Sequence, residues 1–350
     1  MNFYSSDAFC EAFAAAYFPS DNVKSQFFEL GGQLWRIPVI NQTTPVTEMA
    51  FHSKMLDFYE PRSPDSIPKD AVIKPIRYIP QVSHAMVTTE EWLNGTLSQT
   101  YEPAPTILWK DFKDWPAFVQ FVQTRKSKKF FTDSRRRRNK LEEAVGPLQF
   151  VLSDQRPKVL ATCMQWKSEQ YRSTGEFDDF SQVETVRLFE RLAARNFLMV
   201  SSLSSQMGTI AIDINLYADG RLYSWISAYD RKYSNYSPGR LLLLESLESS
   251  FKQGHREFDF LIGDESYKWI YATHTRLIGP LGQPPLITQA RNLARDSIKP
   301  IMQWGLKPFP RLKGQLKTLV LLSQKTSALA SFYPDKRQTK LHHEPMADLA

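Results

Sequence analysis

The sequence predicts an α/β fold in which antiparallel strands pack against helices, and three stretches carry that expectation. Residues 198–203, 209–217 and 222–228 each read as a strand. Gln206, Met207 and Gly208 turn the chain between the first two; Asp219-Gly220 makes the next hairpin, since both residues tolerate a positive φ. Residues 238–253 then read as a helix stopped by Gly254, and a short strand follows at 258–261.

The flanking elements follow from local patterning. Residues 5–17 form an amphipathic helix that Ser5 or Ser6 can cap, with Phe9, Phe13, Ala16 and Tyr17 on one face. Residues 26–30 and 33–37 read as a hairpin around Gly31-Gly32. Residues 41–110 are rich in Pro and Thr and poorly periodic, which predicts loops and short strands. From Trp115 the pattern is helical, with Phe118, Phe121 and Val122 as an apolar stripe. A basic stretch at 125–140 contains Arg135-Arg136-Arg137-Arg138, which reads as a solvated helix face until Gly146-Pro147 breaks it. A strand is expected at 148–152, a helix at 159–171, and a second helix opened by a capping box of Ser181 and Glu184.

Bulk properties narrow the function classes. With 350 residues the chain exceeds one typical domain, and 42% hydrophobic residues suffice for a core. A net charge of +7 favours anionic partners without choosing among them. Cys10 and Cys163 stand alone, with no CxxC and no neighbouring His pair, so neither a zinc site nor a disulfide framework is expected. The N-terminal residues lack a basic start, and Asp7 and Glu11 interrupt their apolar run. No apolar run approaches the length of a bilayer span, so a soluble or at most peripheral protein is expected, and two lone cysteines fit a reducing cytoplasm.

The chemistry concentrates at Tyr236-Ser237-Pro238-Gly239-Arg240. Ser237 can cap the helix, Pro238 suits its first position, and Gly239 lets a ligand approach the backbone. The helix N-terminus offers unpaired N–H groups, and Arg240 adds a cation that can fork onto a phosphate. A pyrophosphate needs these features, although an ordinary capped helix also accounts for them.

Tyr-Ser-Pro-Gly-Arg-Leu-Leu at 236–242, Phe-Asp-Phe at 258–260, Gly-Asp-Glu-Ser-Tyr-Lys at 263–268 and Trp-Lys-Ser-Glu-Gln-Tyr at 166–171 together resemble the cellulose-biosynthesis acetyltransferase-like family. That family belongs to the GNAT acyltransferases and is similar to the Fem peptidyltransferases. The resemblance spans about 110–285. It implies a GNAT-type fold, a mixed and mostly antiparallel sheet flanked by helices, with room for two tandem GNAT-like lobes. On that footing residues 1–110 are a degenerate N-terminal lobe, 111–284 the acyltransferase domain, and 285–350 a basic helical extension with a disordered end. Ser-Pro-Gly-Arg replaces the Gln/Arg-x-x-Gly-x-Gly/Ala coenzyme loop of typical members.

The resemblance also implies roles. Acetyl-coenzyme A or a longer acyl-coenzyme A is the expected co-substrate, held by Tyr236, Ser237, Pro238, Gly239 and Arg240, and no metal takes part. The acceptor is an amine, with a hydroxyl as the lesser choice, on a small molecule or a glycan or peptide precursor. Trp166, Lys167, Gln170 and Tyr171 are candidates to line its pocket; a helix with one packed Trp is the plainer reading. Asp264, Tyr267 and Lys268 are the expected catalytic residues: Tyr267 protonates the departing thiolate, Asp264 rather than Glu265 takes the amine's proton directly or through water, and Lys268 polarises the thioester carbonyl or holds an anionic acceptor. The plainer reading is a turn in which Tyr267 packs and Lys268 braces Asp259. Two other functions compete: a Fem-like transferase using aminoacyl-tRNA, the one case in which nucleic acid is a partner, and a non-catalytic binding protein on the same fold. The basic amphipathic stretch at 311–325 is expected either to touch an anionic membrane surface or to dock on the protein itself.

Overall fold

The structure, a computed structural model, describes residues 2–18, 23–40, 44–45, 58–95, 97 and 100–284. The expectations for 285–350, including the basic stretch at 311–325, lie outside the described residues.

Two sheets organise the chain. The smaller has the order β3-β2-β1-β4, built from β1 (Val23–Leu30), β2 (Gln33–Ile40), β3 (Thr44–Pro45) and β4 (Ile73–Pro75). The expected Gly31-Gly32 hairpin joins β1 to β2, both glycines having positive φ. Helix α1 (Asp7–Tyr17) precedes them; Ser6 caps it by accepting from the Phe9 N–H.

The larger sheet has eight strands in the order β5-β12-β6-β11-β10-β9-β8-β7: β5 (Tyr78–Thr88), β6 (Glu102–Leu108), β7 (Gln149–Val151), β8 (Leu198–Ser205), β9 (Gly208–Ala218), β10 (Arg221–Tyr229), β11 (Glu257–Asp259) and β12 (His274–Gly282). Its pairings are antiparallel except β10 with β11, which gives the mixed, mostly antiparallel sheet of a GNAT-type fold. β5 and β6 come from before residue 110, so one sheet draws on both sides of the expected lobe boundary. Neither was expected as a long strand. β5 tolerates Pro80 because it lies at the sheet edge. β6 is internal and carries Pro103 and Pro105, whose carbonyls accept from Gly263 and Phe260 on the β11 side. A residue's N and C=O point to the same side of an antiparallel strand, so both proline nitrogens face the region beyond the end of β11, where no ladder partner is needed.

Helices cover both faces. On one lie α5 (Pro157–Thr174) and α6 (Val183–Ala194), with α1 packed against α6; Cys163, Leu188, Phe189 and Leu192 meet Ile212, Ile214, Ile226 and Ala228. On the other lies α7 (Pro238–Lys252), whose Leu241, Leu242, Leu243 and Leu247 pack on Ala211, Leu222 and Phe258. It is joined there by α3 (Trp115–Arg125) and α4 (Phe130–Val145). The short helices α2 (Thr89–Asn94) and α8 (Lys268–Tyr271) flank the β5 side. The expected capping box at α6 does not form: Gln182 is the N-cap with no side-chain bond, and the Ser181 hydroxyl donates instead to the Asp178 carbonyl at 2.6 Å.

β11 is only three residues long, and a buried ion cluster holds it. Arg276 donates to Asp259 (2.7 Å), Glu60 (3.1 Å), Thr106 (2.9 Å) and Glu257. Arg221 pairs with Glu60 (2.8 Å) and Glu257 (3.0 Å). Asp259 is fully buried and Arg276 nearly so. Removing one partner from such a cluster leaves an uncompensated buried charge, which costs about 3–5 kcal/mol. Arg276→Met is therefore expected to lose about that much stability in urea unfolding; a loss below about 1 kcal/mol would show that the cluster does not hold β11.

Candidate functional site

The sheet opens where that cluster ends. β10 pairs with β11 only at Arg221–Tyr223 against Glu257–Asp259, and β10 then runs on to Tyr229 without a neighbouring strand on that side among the described residues. A bulge at Trp225 lets both Trp225 and Ile226 pack toward α5 and α6. Beyond Asp259 the chain turns away through Leu261, a non-glycine residue at φ 59°, and Gly263 at φ 143°. The result is a gap walled by β10 on one side and by 260–267 on the other.

The helix N-terminus expected to hold a pyrophosphate stands at this gap. Gly239 lies 3.7 Å, measured from an added Cβ, from the ring of Tyr229 at the end of β10. Ser237 is not a side-chain cap, contrary to expectation. It sits in the left-handed region (φ 55°, ψ 53°), and its hydroxyl accepts from Arg137 at 3.2 Å. Its carbonyl accepts from the N–H groups of Arg240 and Leu241. Pro238 has no N–H, so the Gly239 amide is the first-turn donor with no partner among the described residues. Arg240 lies over the Phe130 ring at 5.3 Å and bonds Asp133 at 3.2 Å. Tyr236 packs beside the cluster that holds Tyr233 and Leu241.

The basic run belongs to the same corner. Arg136 and Arg137 both bond Asp133, holding its carboxyl down at about 2, and Arg137 also donates to the Asn235 carbonyl at 3.1 Å. Arg138 pairs with Glu142 and Glu245. The α4 face is thus partly used to position the loop before α7. Arg136, Arg137 and Arg240 share the single carboxylate Asp133, which leaves the corner electropositive.

The three residues expected to be catalytic are not equivalent. Lys268 is 4% exposed, and its ammonium reaches the carbonyls of Leu261 (3.2 Å) and Ile262 (3.1 Å) and the Glu265 carboxylate (2.9 Å). Three donors meet three acceptors, so Lys268 braces the turn after β11. Asp259, its anticipated partner, binds Arg276 instead. Asp264 is exposed and accepts from the Trp269 indole at 2.8 Å. Tyr267 is 46% exposed, and its hydroxyl has no hydrogen-bond partner among the described residues. Burial, then Glu265 and Asp213, push its pKa up, so it is a protonated donor at neutral pH.

Of the residues expected in the acceptor pocket, Lys167 reaches the strand that walls the gap, donating to the Ser227 carbonyl at 3.3 Å, and it lies over the Tyr171 ring at 5.1 Å. Trp166 and Tyr171 pack against the α5–α6 core, and Gln170 is exposed. Asp213 was not expected at all. It is buried on β9 directly opposite Ser227, and burial lifts its pKa to about 7 against the opposing effects of the neighbouring Ser227 hydroxyl and Lys167. Among the described residues no cluster of His, Cys, Asp and Glu could hold a metal ion, and no helix is long and apolar enough to cross a membrane. A cavity of about 670 Å³ lies at the opposite end of β11, lined by Trp109, Lys110, His255 and Arg256 among others, and holds none of the expected site residues.

Residues 128–269 match the family model described as an acetyltransferase (GNAT) domain. That segment runs from α4 into α8 and contains every expected site residue. The match is to the GNAT domain at large; the narrower resemblance to the cellulose-biosynthesis group rests on its motifs alone. No curated protein matches the chain significantly. Among solved structures the chain is similar to FemX, at 8% identity over 83% of this chain and 94% of that one, with a TM-score of 0.49. It is similar to L-PGS from Bacillus licheniformis at 12% identity, covering 83% and 96%, TM-score 0.41. It is similar to the PaiA N-acetyltransferase from Thermoplasma acidophilum, solved in complex with coenzyme A, at 13% identity, covering 31% and 75%, TM-score 0.26. No activity is carried over from proteins this distant.

The turn after β11 tests the bracing role of Lys268. A Cβ on Gly263 would lie 2.2 Å from the Glu265 carboxylate and 2.7 Å from the Lys268 ammonium, at a φ that only glycine adopts readily. Gly263→Ala is expected to cost about 1–3 kcal/mol in chemical denaturation. Glu265→Gln, at an exposed partner, should cost less than about 1 kcal/mol. Equal small losses would mean that the brace contributes nothing.

Proposed function

We propose that the chain is an acyltransferase that moves an acyl group from a coenzyme A thioester to an amine. The observation that carries this reading is the parting of β10 from β11 beside the start of α7, where the Gly239 amide, Arg240 and Arg137 face one corner. A pyrophosphate placed there meets a helix N-terminus and two guanidiniums, which suits its charge and its oxygens. The pantetheine arm then has the exposed edge of β10 to follow, and backbone N–H groups of that edge are available to the thioester carbonyl. Tyr267, across the gap, protonates the thiolate as it leaves, and Lys167 stands at the acceptor's side.

Asp264 and Lys268 have smaller parts in this reading than their sequence position suggested, because both are committed to the turn that carries Tyr267. Acetyl-coenzyme A is the simplest donor; a longer acyl chain uses the same contacts. An aminoacyl-tRNA donor is the competing chemistry, and it would use the same electropositive corner for nucleic-acid phosphates.

Two measurements check the reading. Arg240→Ala is expected to weaken coenzyme A binding by about 1–3 kcal/mol in calorimetry, the range for a charge-assisted hydrogen bond, with the fold intact. Unchanged affinity removes Arg240 from the site, and tight binding of charged tRNA without coenzyme A binding favours the competing donor. Tyr267→Phe keeps the ring and removes the proton, so turnover should fall by about a hundredfold or more while stability stays near the parent value. Parental turnover would make the tyrosine a packing residue.

A further inference from the structure

The acyl-transfer reading leaves one proton without a destination. An attacking amine must shed a proton, and Asp264, once expected to take it, is an exposed partner of Trp269. The sheet supplies another carboxyl. Ile212 and Ile214 of β9, and Ile226 and Ala228 of β10, pack toward α5 and α6. Strand alternation therefore puts Asp213 and Ser227 on the opposite face, the one covered by α7 and shared with Tyr267. The two are directly opposed across β9 and β10, so their side chains stand next to each other on that face.

Their burial differs sharply. Ser227 is exposed and lies beyond Tyr223, on the part of β10 that walls the gap. Asp213 is 4% exposed, and its Oδ1 has no hydrogen-bond partner among the described residues. A carboxyl placed so deeply with an unmatched oxygen is costly unless something uses it. Lys167 from α5 acts on it, and burial together with the Asp213 charge raises the pKa values of Cys163 on α5 and Tyr267 in the turn before α8. Lys167 is the one cation among them. Its ammonium bonds the Ser227 carbonyl, which ties it to the strand beside the carboxylate.

Resting on the acyl-transfer reading, we infer that Ser227 and Asp213 form a proton relay that deprotonates the acceptor amine. The amine nitrogen bonds to the thioester carbon and the C–S bond breaks. The nitrogen's proton passes to Ser227 Oγ as the Ser227 proton passes to Asp213. The thiolate takes its proton from Tyr267. Ser227 is the catalytic residue that touches the amine, and Asp213 acts through it. The burial that lifts Asp213 to about 7 equips it to accept a proton near neutral pH and return it to solvent afterwards.

The experiment uses the full chain, acetyl-coenzyme A as donor and ethanolamine as the amine probe, with thiol release followed across pH. The expected parent profile rises through a limb near neutrality. Ser227→Ala and Asp213→Asn should each lower the amine-dependent rate by about a hundredfold and abolish that limb. The double variant should lose no more than the worse single one, as expected of two groups acting as a unit. Ser227→Thr, which keeps the hydroxyl, should keep the limb. Infrared difference spectra give a readout apart from turnover: a protonated-carboxyl band that titrates near neutral pH, vanishes in Asp213→Asn and shifts in Ser227→Ala.

Folding stability responds to the same carboxyl. A carboxyl whose pKa is raised in the folded state contributes its full stability below its unfolded value of about 4, and that contribution is lost as pH rises from there through its folded value near 7. Asp213→Asn should therefore gain most over the parent above neutrality. Single variants that keep the parental pH limb overturn the relay and leave the acyl-transfer reading standing. So does a carboxyl band that does not titrate near neutrality. A parent that binds acetyl-coenzyme A but releases no thiol in response to the amine overturns the acyl-transfer reading, and the relay with it.

Discussion

The site depends on how the three residues of β11 are held. A strand this short has too few ladder bonds to fix itself, yet it sits between β6 and β10 in the middle of an eight-stranded sheet. Arg276 and Arg221 supply what the ladder lacks, drawing Glu257 and Asp259 of β11 and Glu60 of a distant loop into one buried cluster. Three carboxyls meet two guanidiniums, so each arginine is shared and neither can leave without stranding a charge. The cluster fixes the point to which β11 runs alongside β10, and therefore the point at which the two strands part.

Past that point the chain takes conformations that ordinary residues avoid. Leu261 and Ser237, neither a glycine, both hold positive φ on opposite sides of the gap. Each has compensating contacts. The Leu261 carbonyl accepts from Lys268, and Ser237 is held by Arg137 and by the first amides of α7. Strain of this kind persists only where the surroundings over-determine it. Here the surroundings are the charged residues that motif reading alone would have assigned to chemistry or to solvent.

The sequence showed much of this fold and less of its site. Strands β8 to β10 and helix α7 were legible because hydrophobic periodicity and turn residues agree there. The Tyr236–Arg240 loop was legible because Pro and Gly at a helix start have a physical meaning. β6 was not legible: Pro103 and Pro105 argue against an internal strand, and only the early end of β11 makes them harmless. The capping roles expected of Ser181 and Ser237 failed because other partners, the Asp178 carbonyl and Arg137, claim their hydroxyls. Asp213 was the most thoroughly hidden. In Ala211-Ile212-Asp213-Ile214-Asn215 an alternating polar residue reads as facing water, but α7 covers that face, so the alternation marks a buried polar strip instead.

That strip explains why the two faces of the gap differ. Toward α5 and α6 the strands present Ile212, Ile214, Trp225 and Ile226, a packed apolar surface that gives the helices a rigid bed. Toward α7 the same strands present Ser201, Asp213 and Asn215, and Ser246 of α7 is buried as well. A sheet selected for stability alone would fill that layer with apolar side chains, since each buried polar atom without a partner costs free energy. Oδ1 of Asp213, Oδ1 of Asn215 and Oγ of Ser246 all lack partners among the described residues. The cost falls along the strands that lead to Ser227 and the gap, which places the polar layer next to the residue proposed to relay a proton and keeps the apolar layer where the fold needs strength.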